Sequence, residues 1–498
     1  MSMLVVRGKN RVCYPFAILL FSLSIFISCS KSNDPSTPSS PITPTSPTPF
    51  DINQITDTYP QLTSFDLHAS WGPYNTHDPS IINNGDYYYC FSTDVGYGIT
   101  VPPGIQIRRS KDLVEWDFMG WAFNGLPTAG ANFISQNGGT PNNSLWAPYI
   151  MKVGTEYRLY YSLASNQPRL SVIGLATAAS PLGPWTEKGL VVKSYNNNFV
   201  QTNAIDPTVV VTPTGDHWMY YGSAWDGIYI LSLDPATGLA KQSADIGKRV
   251  SQRGSTGGKI NGNIEGPEII YNSALKKYYL FIAYDWLETK YNVRVGRSDS
   301  PEGPFLDFNG DDINIEEDHG PMIIAPYQFE GHGGWQGTSH CSVFQNAGQY
   351  YIAHQGRPGV DFYYMVLHVR ELFWTKDGWP IASPERYAAT EQTAIAQSEL
   401  VGTWERISLG YTVVPGYKAE QISPNFQIAA DYTLAADGTV NSDANTTWSY
   451  HLPWIHINSG TTTDSVFVER GRDWENKKVT LIFSGLNSTG TAIWGKKK

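Results

Sequence analysis

From residue 78 to residue 353 the chain alternates short aromatic and β-branched runs with Gly or Asn turns, and one local pattern returns five times. Each copy opens at a turn, runs into a short strand, turns again and returns through a second, more aromatic strand. The first three copies are Asp78-Pro79-Ser80-Ile81-Ile82 with Tyr87 to Phe91, Trp146-Ala147-Pro148-Tyr149-Ile150 with Tyr157 to Tyr161, and Asp206-Pro207-Thr208-Val209-Val210 with Trp218 to Tyr221. The last two are Glu265-Gly266-Pro267-Glu268-Ile269 with Tyr278 to Phe281, and His340-Cys341-Ser342-Val343-Phe344 with Tyr350 to Ala353. Their openings lie roughly 60 to 75 residues apart, a spacing suited to four-stranded repeats with inserted loops. No helical period intervenes. This predicts an all-β chain whose residues 61–390 form a five-bladed β-propeller, an arrangement that leaves few open sheet edges. From about Leu400 a different alternation begins around Gly402-Thr403-Trp404, Ala436-Asp437-Gly438-Thr439, Thr447-Trp448 and Thr491-Ala492-Ile493-Trp494. It predicts a smaller C-terminal β-barrel or sandwich over residues 398–498, with its Trp residues packing the core.

Asp78, Asp206, Glu265 and His340 open four of the five repeats. In a propeller the innermost strands line a central axis, so residues at equivalent strand ends meet on one face. Asp before Pro also caps turns, but capping favours one residue type in every repeat, whereas these openings differ as separate chemical roles require. Three carboxylates suit glycosidic cleavage: one acid protonates the leaving oxygen, a second carboxylate attacks or activates water, and a negative neighbour keeps the acid protonated. No compact acidic loop suggests a dedicated calcium cage.

Composition narrows the picture. The chain has 498 residues, 16 Trp and 30 Tyr, and aromatic faces suit sugar rings as well as cores. Its formal charge of -10 becomes -13 without residues 1–28, which carry Arg7, Lys9 and Arg11 and no acid, so nucleic acid is excluded as a partner. The three cations precede an apolar run, Phe16 to Ile27, of signal-peptide length, and Phe26-Ile27-Ser28-Cys29 resembles a bacterial lipobox. Residues 1–28 are therefore expected to be a lipoprotein signal peptide, Cys29 the lipidated residue, and the Ser/Thr/Pro-rich stretch 29–60 a tether at the cell envelope. Cys90 and Cys341, each inside a strand-like run, are expected to be buried free thiols, with no zinc-site or disulfide spacing.

The motifs Thr76-His77-Asp78-Pro79-Ser80, Leu145-Trp146-Ala147-Pro148, Asn203-Ala204-Ile205-Asp206-Pro207, Ile264-Glu265-Gly266-Pro267 and Gly337-Thr338-Ser339-His340-Cys341-Ser342-Val343 resemble glycoside hydrolase family 43. Tyr291 to Ser298, Ser300-Pro301-Glu302-Gly303-Pro304-Phe305 and Leu367-His368-Val369-Arg370 are similar to the endo-acting α-1,5-L-arabinanases, and the C-terminal region to the β domain of secreted members. The resemblance implies Asp78 as general base, Glu265 as general acid and Asp206 as the carboxylate that orients the acid and raises its pKa, with inversion at the anomeric carbon. It implies sugar contacts by Asn203, Ser223 and Trp146, and a metal, usually calcium, at His340. Tyr149, Glu268 and Ala224 depart from the family pattern.

The expected substrate is thus arabinan or its oligosaccharides, acted on by a monomer. Two other readings stand beside it: an exo-acting arabinofuranosidase or β-xylosidase of the same architecture, and a non-catalytic sugar-binding propeller.

Overall fold

The computed structural model describes residues 50–56, 65–96, 98–316, 320–410 and 414–498. The expected signal peptide, Cys29 and most of the tether lie outside these residues. Residues 50–56 of it do not, and Asn53 accepts hydrogen bonds from Arg472 and Lys477 of the C-terminal domain.

Four antiparallel four-stranded sheets follow one another along the chain. The first comprises β1 (Ser80–Asn83), β2 (Tyr88–Ser92), β3 (Gln106–Ser110) and β4 (Asp117–Trp121). After helix α1 (Thr128–Gln136) come β5 (Trp146–Val153), β6 (Glu156–Leu163), β7 (Ser171–Ala178) and β8 (Thr186–Ser194), then β9 (Thr208–Val211), β10 (His217–Tyr221), β11 (Ile228–Leu233) and β12 (Lys248–Ser251). A small hairpin, β13 (Ser255–Thr256) and β14 (Lys259–Ile260), precedes the fourth sheet of β15 (Ile264–Asn272), β16 (Lys277–Tyr284), β17 (Asn292–Ser298) and β18 (Met322–Ile324). These sheets are propeller blades.

The last repeat departs from the expected pattern. Its strands β21 (Ser342–Asn346), β22 (Gln349–Pro358), β23 (Val366–Trp374) and β24 (Pro380–Ala382) pair in sequence, but they do not form a separate four-stranded sheet. β22 is long enough to pair also with β20 (Trp335–Gln336), which continues through β19 (Tyr327–Gln328) to β26 (Gln427–Ile428) of the C-terminal region. The result is one seven-stranded sheet.

Hydrogen bonds stitch the inner strands to their neighbours. Ile150 N–H donates to Ser80 Oγ at 3.1 Å, Tyr149 O–H to the Val209 carbonyl at 2.7 Å, and Thr208 Oγ1 to Glu268 Oε2 at 2.8 Å. Glu268 Oε1 then accepts Val343 N–H at 2.8 Å, and Ile81 N–H donates to Ser342 Oγ at 3.1 Å, which closes the circuit. Tyr149 and Glu268, two departures from the family pattern, are therefore structural stitches. Apolar layers fill the gaps between sheets, for example Phe91, Leu159 and Tyr161 between the first two, and Ile81, Cys90, Ala353 and Leu367 between the first and last. Cys90 and Cys341 are buried free thiols, as expected.

Helix α1, which the hydrophobic pattern does not announce, carries no charged residue and buries only Gly130 and Ile134. It packs on β7, where a Cβ on Gly130 would already meet Leu163 and Val172 at 3.2 Å.

After a short helix α2 (Gln397–Leu400), β25 (Gly402–Ser408) and strands β27 (Ala430–Leu434), β28 (Thr439–Val440), β29 (Asp443–His451), β30 (Trp454–Ser459), β31 (Thr462–Asp473), β32 (Lys478–Leu486) and β33 (Ala492–Lys497) form a closed eight-stranded barrel. Trp404 and Trp448 fill its core with Leu434, Ile455 and Phe483, whereas Trp494 turns outward and packs on Tyr327 of the seven-stranded sheet.

Candidate active site

The turn before each inner strand has one residue in the left-handed region: Asp78 (φ 51°), Ala147 (36°), Asp206 (59°), Gly266 (55°) and His340 (54°). For a non-glycine residue that conformation costs roughly 1–2 kcal/mol, and its recurrence at an axial site marks backbone held strained by the surrounding sheets. Asp78, Asp206 and His340 are thus equivalent, as the repeat alignment implies. Glu265 is not. It stands one residue earlier, in the position of Trp146, and the same bulge interrupts β15 between Glu265 and Glu268 and β5 between Trp146 and Tyr149. Glu265 therefore approaches the axis from a different backbone position than the other two carboxylates.

Each carboxyl has its own set of partners. Asp78 Oδ2 accepts Thr93 Oγ1 at 2.5 Å, and Thr93 Oγ1 in turn accepts the N–H of Ala147 at 2.8 Å, which ties the first repeat to the second. Asp78 Oδ1 lies 3.0 Å from His340 Nδ1 and 2.7 Å from His77 Nδ1, although His77 is not aligned for a hydrogen bond. Gln355 Oε1 accepts Asp78 N–H at 3.0 Å. Asp206 Oδ2 accepts Gly266 N–H at 3.0 Å. Glu265 receives two hydroxyls, Ser223 Oγ on Oε2 and Tyr291 on Oε1, each at 2.8 Å.

Burial and charge separate the groups. Burial opposes ionisation of Asp78, but the facing His340 and His77 imidazoles outweigh it and hold the carboxyl well below the usual range. Burial pushes Asp206 up to about 8; His340 offsets part of this, while the negative charges of Glu265 and Asp78 add to it. Burial would lower His340, yet Asp78 outweighs it and holds the imidazole at about 9. Near neutral pH the cluster therefore has an ionised carboxylate at Asp78 and retains a proton at Asp206. Acid chemistry and base chemistry have separate places on one face.

The structure brings Asp78, Asp206, Glu265, Ser223 and His340 into this cluster. Ser223, expected to touch sugar, donates its hydroxyl to Glu265. Asn203 is one step removed: its Oδ1 accepts Ser171 Oγ at 2.6 Å. Trp146 is half-buried at the rim, its indole N–H on Ser144 Oγ at 2.7 Å. Tyr291, Thr93, His77 and Gln355 were not singled out from sequence as contacts of the carboxylates. His77 and Tyr291 left a trace, the one beside Asp78 in a family-like motif and the other as the first residue of an arabinanase-like motif.

Among the described residues no group of three or more His, Cys, Asp and Glu is arranged as a metal cage. His340 can be the one protein ligand of a site only where a metal takes the place of the proton on its second ring nitrogen. Its Nδ1 faces the Asp78 carboxylate, the pairing that orients a ligating histidine through its other nitrogen, and water would complete the shell.

A sheet ring that gathers three carboxyls of distinct environment on its axis defines a glycosidase-type site. Residues 72–380 match the model described as glycosyl hydrolases family 43, and residues 384–495 match a C-terminal lipocalin-like domain. The chain belongs to glycosyl hydrolases family 43 and is a glycosidase. It is 28% identical over 472 residues to extracellular endo-alpha-(1->5)-L-arabinanase 2 of Bacillus subtilis, covering 85% of this chain and 93% of that one. It is 31% identical over 325 residues to the extracellular exo-alpha-(1->5)-L-arabinofuranosidase ArbA of Cellvibrio japonicus, covering 61% and 86%. The crystal structure of endo-1,5-alpha-L-arabinanase from Thermotoga petrophila superposes with a TM-score of 0.72 at 26% identity, covering 85% of this chain and 98% of that one.

Proposed function

We propose that the protein is an inverting endo-α-1,5-L-arabinanase. The observation that carries the reading is the pairing of an ionised Asp78 with a hydroxyl-clamped Glu265 on the same axial face. Asp78 takes a proton from the attacking water, and Glu265 delivers one to the departing glycosidic oxygen. Asp206 orients Glu265 through the Gly266 amide and keeps a proton in the cluster. The seven-stranded sheet serves as the fifth blade, a reading supported by the circuit of hydrogen bonds that runs from Ser342 to Ile81.

Endo rather than exo action is favoured because the relatives that align with both domains, from Bacillus subtilis and Thermotoga petrophila, are named as endo-acting, although a further endo-acting relative aligns with as small a part of this chain as the exo-acting one. A calcium ion held by His340 and water would supply positive charge beside the carboxylates. Export agrees with the extracellular naming of the relatives, and lipid attachment at Cys29 remains part of the proposal.

The test is a hydrolysis screen on linear arabinan, branched arabinan and xylan with products resolved by size. An early mixture of arabino-oligosaccharides is expected; release of arabinose alone, or cleavage of xylan in preference to arabinan, would contradict the assignment.

A further inference from the structure

Trp404 and Trp448 belong to the barrel core, but Trp454 at the start of β30 does not. It is half-buried, and its ring meets Phe467 of β31 edge-on at 5.5 Å. Phe467 in turn stacks on Phe373 of β23 at 4.2 Å. The indole is thus braced by Phe467, which the propeller holds through Phe373, and part of it stays open along the seam.

There it lines a cavity of about 710 Å³, inside the range of roughly 300–1,000 Å³ usual for ligand sites. The opposite wall is the β23–β24 turn, Thr375 to Asp377, and the rim carries Ser465, Asn487 and Ser488. Lys376 and Asp377 offset one another, and the lining also carries His451 and His456, whose rings lie 5.6 Å apart, with His456 Nδ1 2.9 Å from Ser465 Oγ. Asn487 uses its side-chain oxygen to cap its own turn through Thr489 and Thr491 N–H groups, which leaves its NH₂ uncommitted. Phe308 belongs both to this cavity and to an adjoining one of about 410 Å³, where Trp379 lies 5.4 Å from it. The two cavities form a track that shares Phe308; its second part is more charged, with Lys277, Asp299 and Asp307 in the lining and the Arg297 guanidinium 4.2 Å over the buried Trp379 ring, so the open aromatic surface is that of Trp454 and Phe308. An aromatic platform ringed by hydrogen-bonding groups with no excess of either charge is the chemistry that receives a sugar ring.

The track lies at the end of the sheet away from the carboxylates. β21 leaves the axial face next to His340 and ends at Asn346; Gln345 pairs with Tyr350, and Tyr350 with Leu372, three residues before the lining Thr375. It is no extension of the catalytic cleft.

We propose that this seam is a second carbohydrate-binding site that holds a neutral segment of the polysaccharide, an arabinan chain on the functional reading above, while another segment is cut on the opposite face. Multivalent capture of this kind raises effective substrate concentration without touching the chemistry.

The test uses the full chain in a Glu265→Gln background and measures retention on linear arabinan by affinity electrophoresis. Trp454→Ala should weaken retention about tenfold, the scale of one lost aromatic contact, and Trp454→Phe should keep most of it. In the active protein, hydrolysis of a short arabino-oligosaccharide should stay within twofold of the parent for all three variants, while dilute polymer is cut more slowly by Trp454→Ala and Asn487→Ala. If Trp454→Ala does not fold, Asn487→Ala retention and the loss of a sugar-induced fluorescence change in Trp454→Phe decide the question. Unaltered retention in Trp454→Ala and Asn487→Ala, together with an unaltered fluorescence response in Trp454→Phe, overturns the seam site and leaves the arabinanase assignment standing. Retention of xylan but not arabinan overturns the arabinan assignment of the seam. Absence of arabinan hydrolysis in the parent removes the functional reading independently of either result.

Discussion

Asp206 Oδ2 accepts the N–H of Gly266 at 3.0 Å, so the carboxyl of one repeat fixes the peptide unit that follows Glu265 in the next. On the proposed function this makes Asp206 a positioning residue that acts through Glu265. Asp206→Ala removes the acceptor and lowers kcat on arabinan by about 10²-fold, the cost of a misplaced catalytic group. Because the defect lies in protonating the leaving oxygen, an arabino-oligosaccharide with a nitrophenyl leaving group restores part of the rate. An equal loss on both substrates would assign Asp206 a different role.

His340 packs its ring against Gly266, where an added Cβ would sit 2.9 Å from Nδ1. Gly266→Ala therefore displaces the imidazole and also strains a φ of 55°, with a stability loss of at least about 1 kcal/mol. Exhaustive chelation, followed by metal analysis, should lower activity by roughly 10- to 100-fold, with recovery on adding calcium. Full turnover in metal-free protein would take the ion out of the account.

Where the propeller meets the barrel, Glu371 of β23 and Glu469 of β31 share a hydrogen bond, and burial raises both carboxyls, Glu469 well above the usual range. The folded chain then keeps a proton that the unfolded chain releases above about 4.5. This pair therefore costs stability increasingly as pH rises from the unfolded value through the folded one. Glu469→Gln keeps the neighbour bonded without an ionisable group, so the fall in Tm between pH 5 and pH 8 should shrink. A Tm profile parallel to the parent's across that interval would show that the pair does not titrate as described.

Cys29→Ala should move the protein from the membrane fraction to the soluble fraction of a cell that processes lipoproteins. An unchanged distribution would end the lipobox reading.

The sequence made the repeat legible because each copy opens at a turn of the same conformation and returns through an aromatic strand. It also made Asp78, Asp206 and His340 legible as equivalents. The offset of Glu265 was hidden, because a bulge shifts backbone register without altering residue type. The seven-stranded sheet was hidden too, since pairing of Trp335 with Pro358 and Tyr327 with Gln427 depends on distant segments meeting. Helix α1 buries too few residues to leave a period. Tyr291 and Thr93 act through hydroxyl groups whose direction only the assembled ring sets, and Trp454 reads like any core tryptophan until the barrel closes.

The central claim is the division of labour between Asp78 and Glu265. An acid catalyst is dispensable when the leaving group departs unaided, whereas activation of water is needed whatever departs. The deciding measurement is kcat/KM of Glu265→Ala and Asp78→Ala on arabinan and on a nitrophenyl arabino-oligosaccharide. Both variants should lose about 10²- to 10⁴-fold on arabinan. On the activated substrate Glu265→Ala should regain most of its loss and Asp78→Ala none; equal rescue of the two, or rescue of Asp78→Ala alone, would contradict the account.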